Sequence, residues 1–366
     1  MALQQAEKDQ FGIQVARELS HTPYAISSQA LLSGGTANFL FRGTLVQPLP
    51  DGAKTVVIKH SEEFVSASRD FPLDVSRCLF EEAMLKALQL LPSITVDNIH
   101  LRTPRLYLFD EKTNTQVLED LVSTIDLKTV LESPTASTAL PHPFATGIGH
   151  ALGAWLQSFH TWVSEPAPAA LLKDLGDNEP MRKIRYSISY GAFTNIVQKF
   201  PKYGSDAEPR WKRSETWRLP NTPKNPKTNI LIPDNASLVR EHSTNLFIID
   251  WEFAQFGRKE YDLGQIIGDL YERKHFMGAE GALWIIQGFT AGYGVLSDEK
   301  AFRIAIHVGV HLICWYIRRN PMAPFTEPPE QIENAIRIGT DFIEKGWKRD
   351  LAWFKKSELA CLFKRE

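Results

Sequence analysis

The chain has few cysteines, little net charge and no long apolar run, and each shortage excludes a class of protein. Its three cysteines, Cys78, Cys314 and Cys361, are odd in number and far apart, so neither a disulfide framework nor a zinc site is indicated. A formal net charge of -2 argues against general binding to nucleic acid or to a membrane surface. A reducing, cytoplasmic location follows as a default.

No segment for export or membrane insertion is predicted. The opening MALQQAEKDQFG lacks the basic and apolar regions of a signal peptide. The late apolar stretch at 307–317 is far shorter than the roughly 20 residues of a spanning helix, and His307 and His311 interrupt it. With 366 residues, 43% of them hydrophobic and 23% charged, the chain is typical of a globular protein long enough for two lobes.

The most informative stretch lies at 245–265 and reads NLFIIDWEFAQFGRKEYDLGQ. Residues 245–249 form a short apolar run rich in β-branched residues, which predicts a buried strand. Asp250 ends this run, where its negative charge needs a compensating partner. A divalent metal is one such partner, and a turn that Asp250 caps or a nearby arginine is another, so the residues alone leave both interpretations open.

The segment IDWEFAQFGRKEYDLGQ resembles the metal-binding segment of the aminoglycoside phosphotransferase and choline kinase-like family, especially its fungal members. The resemblance implies that Asp250 binds the magnesium of magnesium ATP and that Asp262 braces the loops around the active site. It covers about residues 30–320 and implies a protein-kinase-like α+β fold. The expected domains are a nucleotide-binding lobe at 1–118, with a small antiparallel sheet and one helix, and a mainly helical lobe at 119–366 with the metal and acceptor sites.

A glycine turn precedes this segment near the start of the chain. Residues 31–45, LLSGGTANFLFRGTL, predict two strands joined by a Gly-Gly turn, which lets backbone N–H groups approach a phosphate. Most such turns are plain hairpins, and it is the resemblance that implies a nucleotide-covering loop at 33–38. The residues that it places there are Ser33, Gly34, Gly35, Thr36 and Asn38.

A lysine and a glutamate form the next part of the predicted site. Lys59 lies in the β-branched run TVVIKH, and although strand-end lysines are usually solvated, the resemblance implies the phosphate-binding lysine of kinase-like folds. Its partner should lie on a helix predicted at 76–91. Helical geometry puts Glu81 on the flank of the apolar face and Glu82 towards water, so Glu81 is the predicted ion-pair partner. That apolar face is predicted to consist of Phe80, Ala83, Met84, Ala87 and Leu91.

Two further strands, predicted at 104–109 and 115–118, lead into the segment LEDL, which resembles the hinge between kinase lobes. The resemblance implies that main-chain atoms of Glu119 and Leu121 hold adenine. The carboxylate of Asp120 is also explained as the cap of a following helix, and this alternative stays open.

The rest of the chain is predicted to be mainly helical. His160, near the end of one helix, is expected to be a packed or hydrogen-bonded core histidine rather than a catalyst. A basic segment at 199–227 contains Trp211 and Trp217, and a solvated loop or a site for an anionic substrate explains it as well as nucleic-acid binding does. The principal helices are predicted at 148–162, 181–200, 282–294, 301–318 and 332–354.

One part of the family pattern is absent, namely the base-carrying loop H-G-D-x-x-x-x-N. Asn229, followed by the apolar residues ILI, matches its end and is the implied second metal ligand. The preceding TPKNPKTN places Thr222 at the His position, Pro223 at the Gly and Lys224 at the catalytic Asp. An ammonium cannot accept the acceptor's proton, and general-base catalysis contributes roughly 10²- to 10⁴-fold in rate.

Three hypotheses follow from this loop. In the first, the chain is an ATP-dependent kinase of a small-molecule hydroxyl or amino-alcohol acceptor with weak or rerouted base function, since phosphoryl transfer relies mainly on positioning and metal charge. In the second, it is a pseudokinase that binds nucleotide or acts as a scaffold. In the third, the loop at 218–228 is an artefact of how the coding sequence was assembled. The implied cofactors are ATP and Mg²⁺, and neither nucleic acid nor a membrane is an expected partner.

Overall fold

The computed structural model of the chain contains two units, each with its own five-stranded sheet. One, termed the first unit, comprises the residues up to Leu90, Thr103–Ser123 and Trp251–Phe253, and the second comprises Leu91–Arg102, Thr124–Asp250 and the residues from Ala254 onward. The domain boundary predicted after residue 118 stays a prediction. The residues that the structure describes are 3–32, 35, 37–133, 135–166, 168, 178–200, 223–224, 229–234, 243–318 and 327–364.

The strands of these residues are, in chain order, β1 (Ile26–Leu31), β2 (Phe39–Leu45), β3 (Thr55–His60), β4 (Phe64–Val65), β5 (Ser68–Pro72), β6 (Ile94–Val96), β7 (Ile99–Arg102), β8 (Leu106–Asp110), β9 (Thr115–Glu119), β10 (Thr124–Asp126), β11 (Pro223–Lys224), β12 (Ile230–Pro233), β13 (Thr244–Ile248) and β14 (Gln255–Phe256). The helices are α1 (Gln5–Leu19), α2 (Arg77–Leu88), α3 (Leu127–Leu131), α4 (Ala136–Ala139), α5 (His142–Trp162), α6 (Glu179–Tyr186), α7 (Ala192–Val197), α8 (Lys259–Met277), α9 (Glu280–Tyr293), α10 (Asp298–Arg318), α11 (Pro329–Trp347) and α12 (Leu351–Phe354). Turns of 3-10 helix lie at Trp251–Phe253 and Ala360–Phe363, and a turn of π-helix lies at Ser187–Gly191.

The sheet of the first unit is antiparallel in the order β1-β2-β3-β9-β8 and is covered on both faces. On one face, alternate residues of β2 and β3, such as Phe41 and Ile58, pack with Val15 of α1 in a single apolar cluster. Because successive residues of a strand point to opposite faces, Lys59 projects from the other face. There α2 lies against the sheet, and Gln116, the partner of Lys59 in β9, donates a hydrogen bond to the carbonyl oxygen of Cys78.

The helix predicted at 76–91 is confirmed as α2, but its predicted buried face is only partly right: Met84 and Ala87 are buried, and Leu91 lies beyond the end of the helix. Phe80 and Ala83 are only half-buried, and Glu81, predicted on the flank, is 2% exposed within the buried face. A hydrophobicity pattern misses part of this face because two of its buried members are the charged residues Arg77 and Glu81. The buried residues of α2 are Arg77, Cys78, Glu81, Met84, Leu85, Ala87 and Leu88.

The second unit contains a mixed sheet that the sequence analysis did not expect in full. Its order is β10-β12-β13-β7-β6, with β12 antiparallel to β13 and β7 parallel to β13. The buried strand predicted at 245–249 is confirmed as β13, and the apolar residues after Asn229 form β12, whereas β6, β7 and β10 were not predicted. These three strands are only three or four residues long, too short to give a periodic signal.

Most of the predicted helices are confirmed with shifted ends. The helix predicted at 332–354 is instead divided into α11 and α12, because Arg349 adopts a left-handed φ of 54° and the side chain of Asp350 caps α12 by accepting a hydrogen bond from the N–H of Trp353. Among the described residues, no helix combines the length and the apolar character that crossing a membrane requires.

Helices α5 and α9 of the second unit approach each other closely at glycines. A Cβ atom at Gly288 would lie 2.0 Å from the carbonyl oxygen of Thr146, and one at Gly149 would lie 2.1 Å from the carbonyl oxygen of Ile285. Both obstacles are backbone atoms, so any side chain at these positions would force the two helices apart.

We expect Gly288→Ala to lower the free energy of unfolding by about 1–3 kcal/mol, the usual range for an overpacked core. Gly281→Ala in the same helix is the matched control, since the Cβ atom there would meet nothing closer than Leu131 Cδ2 at 3.5 Å, an ordinary contact. Alanine also favours a helix over glycine by about 1 kcal/mol. Urea denaturation measures both variants, and equal losses would contradict the proposed close approach.

Candidate active site

The ion pair predicted between Lys59 and Glu81 is present in the first unit. The Nζ atom of Lys59 lies 2.7 Å from Glu81 Oε2, and the two side chains are 6% and 2% exposed. The other carboxylate oxygen, Oε1, accepts a hydrogen bond of 3.1 Å from the N–H of Trp251. Glu81 therefore holds both the lysine and the main chain of the residue that follows Asp250. The phosphate-binding role of Lys59 stays a prediction.

A second buried polar cluster of the first unit contains Arg77, Glu252, Asn38 and Ser61 and is termed the Arg77 network. The first three residues are 0%, 1% and 4% exposed. Glu252 Oε2 lies 3.3 Å from Arg77 Nε and accepts a hydrogen bond of 2.7 Å from Asn38 Nδ2. Asn38 Oδ1 accepts hydrogen bonds from Arg77 Nη2 at 2.8 Å and from Ser61 Oγ at 2.9 Å.

Arg77, Glu252 and Ser61 were not predicted as site residues. Glu252 lies inside the segment that carries the family resemblance, but nothing in the sequence pairs it with an arginine at the start of a distant helix. The predicted nucleotide contact of Asn38 stays a prediction, and the structure gives both ends of its side-chain amide protein partners.

The cysteines are buried free thiols at Cys78, Cys314 and Cys361. Burial raises the pKa of the Cys78 thiol to about 11, and the nearby guanidinium of Arg77 offsets only part of that effect. Cys78 is therefore protonated at neutral pH. A protonated thiol is a poor nucleophile. Cys78 is therefore not a candidate catalytic nucleophile, even though it lies on the same helix as Glu81.

Asn229 and Asp250 come together in the second unit through the pairing of β12 with β13. Ile230 lies opposite Ile248, and the N–H of Ile249 donates to the carbonyl oxygen of Asn229 at 3.0 Å. At the ends of these strands, Asn229 Nδ2 donates a hydrogen bond of 2.6 Å to Asp250 Oδ2. Both side chains are half-buried. The pair supplies an amide oxygen and a carboxylate, which are the donor types that Mg²⁺ takes, so these residues fit the metal that the resemblance implies.

Asp262 is fully buried near the start of α8 and contacts His160 of α5. Its Oδ2 atom lies 3.1 Å from His160 Nε2, and the hydroxyl of Tyr293 lies 2.9 Å from His160 Nδ1. Burial and the carboxylate of Asp262 raise the pKa of Tyr293, so its hydroxyl stays protonated and can donate to Nδ1. The Nε2 atom then donates to Asp262. His160 is thus confirmed as a hydrogen-bonded core residue.

No family model matches the chain. The chain is, however, 30% identical over 391 residues to Phosphotransferase FrzJ of Cladobotryum sp, and the alignment covers 100% of this chain and 99% of that protein. This chain belongs to the aminoglycoside phosphotransferase and choline kinase-like family. Two more distant similarities accompany this one.

The 4-hydroxytryptamine kinase of Psilocybe cubensis is 23% identical over 296 residues, which cover 78% of this chain and 79% of that protein. A choline/ethanolamine kinase family protein from Mesorhizobium loti has a crystal structure that is 12% identical in sequence, with a TM-score of 0.44 and coverage of 96% of this chain and 98% of that one.

The segment that resembles the hinge of this kinase-like family is held at the end of β9. The N–H of Glu119 donates to the carbonyl oxygen of Arg105 at 2.9 Å, so this donor is used in the sheet. Both carboxylate oxygens of Asp120 accept hydrogen bonds from Arg42, at 2.8 and 3.0 Å. The alternative that Asp120 caps a helix is wrong, since Asp126 caps α3. The adenine contacts of Glu119 and Leu121 stay predictions.

The family's nucleotide-covering loop is described only in part. Ser33, Gly34 and Thr36 lie outside the described residues, and Gly35 is exposed. The carbonyl oxygen of Gly35 accepts a hydrogen bond of 3.2 Å from Ser66 Oγ. The predicted contacts of this loop with a nucleotide stay predictions.

The placement of Lys224 at the family's base position stays a prediction. In the described backbone, Lys224 pairs with Gln255 and Pro223 pairs with Phe256, as the short ladder of β11 with β14. Apart from Pro223 and Lys224, the basic segment after residue 200 lies outside the described residues. This includes Trp211, Trp217 and Thr222.

Proposed function

We propose that this chain is an ATP-dependent phosphotransferase that acts on a small molecule with a hydroxyl or amino-alcohol group. The observation that carries the proposal is the buried ion pair of 2.7 Å between Lys59 on β3 and Glu81 on α2. A buried lysine is rare unless a carboxylate compensates its charge, and this arrangement is the phosphate-binding pair of kinase-like proteins. Family membership over the whole chain supports the same function.

In the proposed reaction, Lys59 contacts the phosphates of ATP, and Glu81 fixes the position of its ammonium group. Asn229 and Asp250 would hold Mg²⁺, and the metal would supply positive charge to neutralise the phosphate oxygens. Main-chain atoms of Glu119 and Leu121 would bind adenine. Each of these groups orients the nucleotide, and positioning supplies most of the catalysis in phosphoryl transfer.

The acceptor must react without a carboxylate at residue 224, because the ammonium of Lys224 cannot remove a proton. An acidic acceptor hydroxyl loses least from this substitution, and a phenol has a pKa near 10. A relative of this chain is a 4-hydroxytryptamine kinase, so a hydroxylated aromatic amine belongs in the acceptor panel beside amino alcohols.

The proposal is tested by ATP consumption over a panel of amino and hydroxy compounds, with Asp250→Ala as the control. We expect magnesium-dependent turnover with at least one acceptor, and a loss of roughly 10²-fold or more in Asp250→Ala, since preorganised charge stabilisation carries effects of that size. Turnover that Asp250→Ala leaves unchanged would contradict the proposed site.

A catalytically impaired pseudokinase is the second candidate, and Lys224 at the base position favours it. Such a protein would bind nucleotide or act as a scaffold through the same Lys59, Glu81, Asn229 and Asp250. Calorimetry with ATP separates the two: magnesium-dependent binding without turnover across the whole panel supports the pseudokinase, and acceptor-dependent turnover excludes it.

A further inference from the structure

The backbone of Asp250 has an unusual conformation. Its φ of 65° lies in the left-handed region, which residues with a side chain seldom adopt and which persists only where the surrounding structure holds it. The next three residues, Trp251–Phe253, form a buried turn of 3-10 helix in the first unit. What holds this turn therefore also fixes the direction in which the chain leaves Asp250.

Two side chains of α2 hold the turn. Glu81 accepts the hydrogen bond from the N–H of Trp251, and Arg77 forms the ion pair of 3.3 Å with Glu252. Asn38, just before β2, adds the hydrogen bond of 2.7 Å to the same carboxylate oxygen of Glu252. Main chain and side chain of the turn are thus both fixed by buried groups.

Arg77 is itself rigidly placed. The carbonyl oxygens of Glu62, Leu73 and Asp74 lie 3.0, 3.1 and 2.9 Å from its Nη1 atom and share the two hydrogens of that atom. The Nη2 atom donates to Asn38 Oδ1 at 2.8 Å. A planar guanidinium with this many partners has one orientation, which lysine cannot reproduce. The position of the Glu252 carboxylate is therefore set by the body of the first unit.

We propose that Arg77 and Glu252 are positioning residues for the metal-bound nucleotide: by holding the turn at Trp251–Phe253 they keep Asp250 in the left-handed conformation in which it binds the metal. In this proposal both residues act through the turn. The inference rests on the proposed function and adds to it the side chains that orient the metal ligand. Groups that orient a ligand in this way change metal affinity by about 10- to 100-fold when they are altered.

The test is calorimetry of a non-hydrolysable ATP analogue with and without Mg²⁺. We expect Glu252→Gln to weaken binding about 10- to 100-fold in the presence of Mg²⁺ and less than about twofold in its absence, because only the metal contact depends on Asp250. Arg77→Lys keeps the positive charge but loses the planar set of guanidinium donors. Its loss of affinity in the presence of Mg²⁺ should therefore be smaller than that of Glu252→Gln. Mn²⁺ binding measured by electron paramagnetic resonance, without nucleotide, should weaken in the same order.

A merely structural role predicts a different result. Val15→Ala truncates a core residue of α1 on the opposite face of the sheet and serves as the stability control. If Glu252→Gln and Val15→Ala lower the melting temperature and leave the ratio of affinities with and without Mg²⁺ unchanged, the inference is overturned. Ser61→Ala, which removes one hydrogen bond to Asn38, gives a milder variant that should shift the ratio in the same direction should Glu252→Gln not fold.

The failure of the proposed function would look different. If the wild-type chain does not bind the nucleotide either with or without Mg²⁺, the proposed function and this inference are both overturned. If the wild-type chain binds the nucleotide more tightly with Mg²⁺, and Glu252→Gln and Ser61→Ala show the same ratio of affinities with and without Mg²⁺, only the inference is overturned.

Discussion

Replacing Lys224 by aspartate is expected to raise kcat roughly 10²- to 10⁴-fold, the contribution of a general base that the chain lacks at this position. A carboxylate there accepts the proton of the acceptor hydroxyl as the phosphoryl group is transferred. Binding of ATP should change little, because the ligands proposed for the nucleotide and the metal are elsewhere. Steady-state kinetics with a saturating acceptor measure the gain, and in Lys224→Asp the rate should fall at low pH as the new carboxylate is protonated.

The matched control is Lys224→Asn, which removes the positive charge and supplies no base. It should leave kcat within a few fold of the wild type, and an equal gain in both variants would show that the charge of Lys224, not the absence of a base, limits the rate. The sequence of the transcript across residues 210–235 tests the remaining hypothesis, that the natural protein carries the usual motif there.

The parts of the candidate site that could be predicted are those whose residues lie on neighbouring secondary-structure elements of the chain. Asn229 and Asp250 lie at the ends of two strands joined by one connection, so antiparallel pairing brings them together. The pair of Lys59 with Glu81 follows from a strand, a helix and the alternation of residues along both. In each case local geometry and the family resemblance lead to the same residue.

The Arg77 network could not be predicted for the opposite reason. Asn38, Arg77 and Glu252 come from three distant segments, and none of the three has a partner that periodicity or spacing indicates. A charged residue on the buried face of α2 contradicts the hydrophobic pattern that defines such a face. A buried charge is tolerated only beside its partner. The partner of Arg77 is Glu252, and only the folded structure shows that the turn at Trp251–Phe253 lies against α2.

Glu81→Gln is expected to lower the free energy of unfolding by about 3–5 kcal/mol, the loss that follows when one partner of a buried ion pair is removed. The glutamine oxygen can still accept the hydrogen bond from the N–H of Trp251, so the change isolates the charge. Lys59 then lies in a buried position without its carboxylate, and nucleotide affinity should fall as well. Chemical denaturation and calorimetry with ATP measure the two effects.

The double variant Lys59→Met/Glu81→Gln separates stability from function. It removes both charges and keeps the acceptor for Trp251, and replacing a buried ion pair by neutral groups is often neutral or stabilising. Its free energy of unfolding should therefore exceed that of Glu81→Gln, while binding of ATP stays weak because the ammonium is gone. Recovery of ATP binding together with stability would show that the ion pair serves only the fold, and the phosphate-binding role of Lys59 would have to be abandoned.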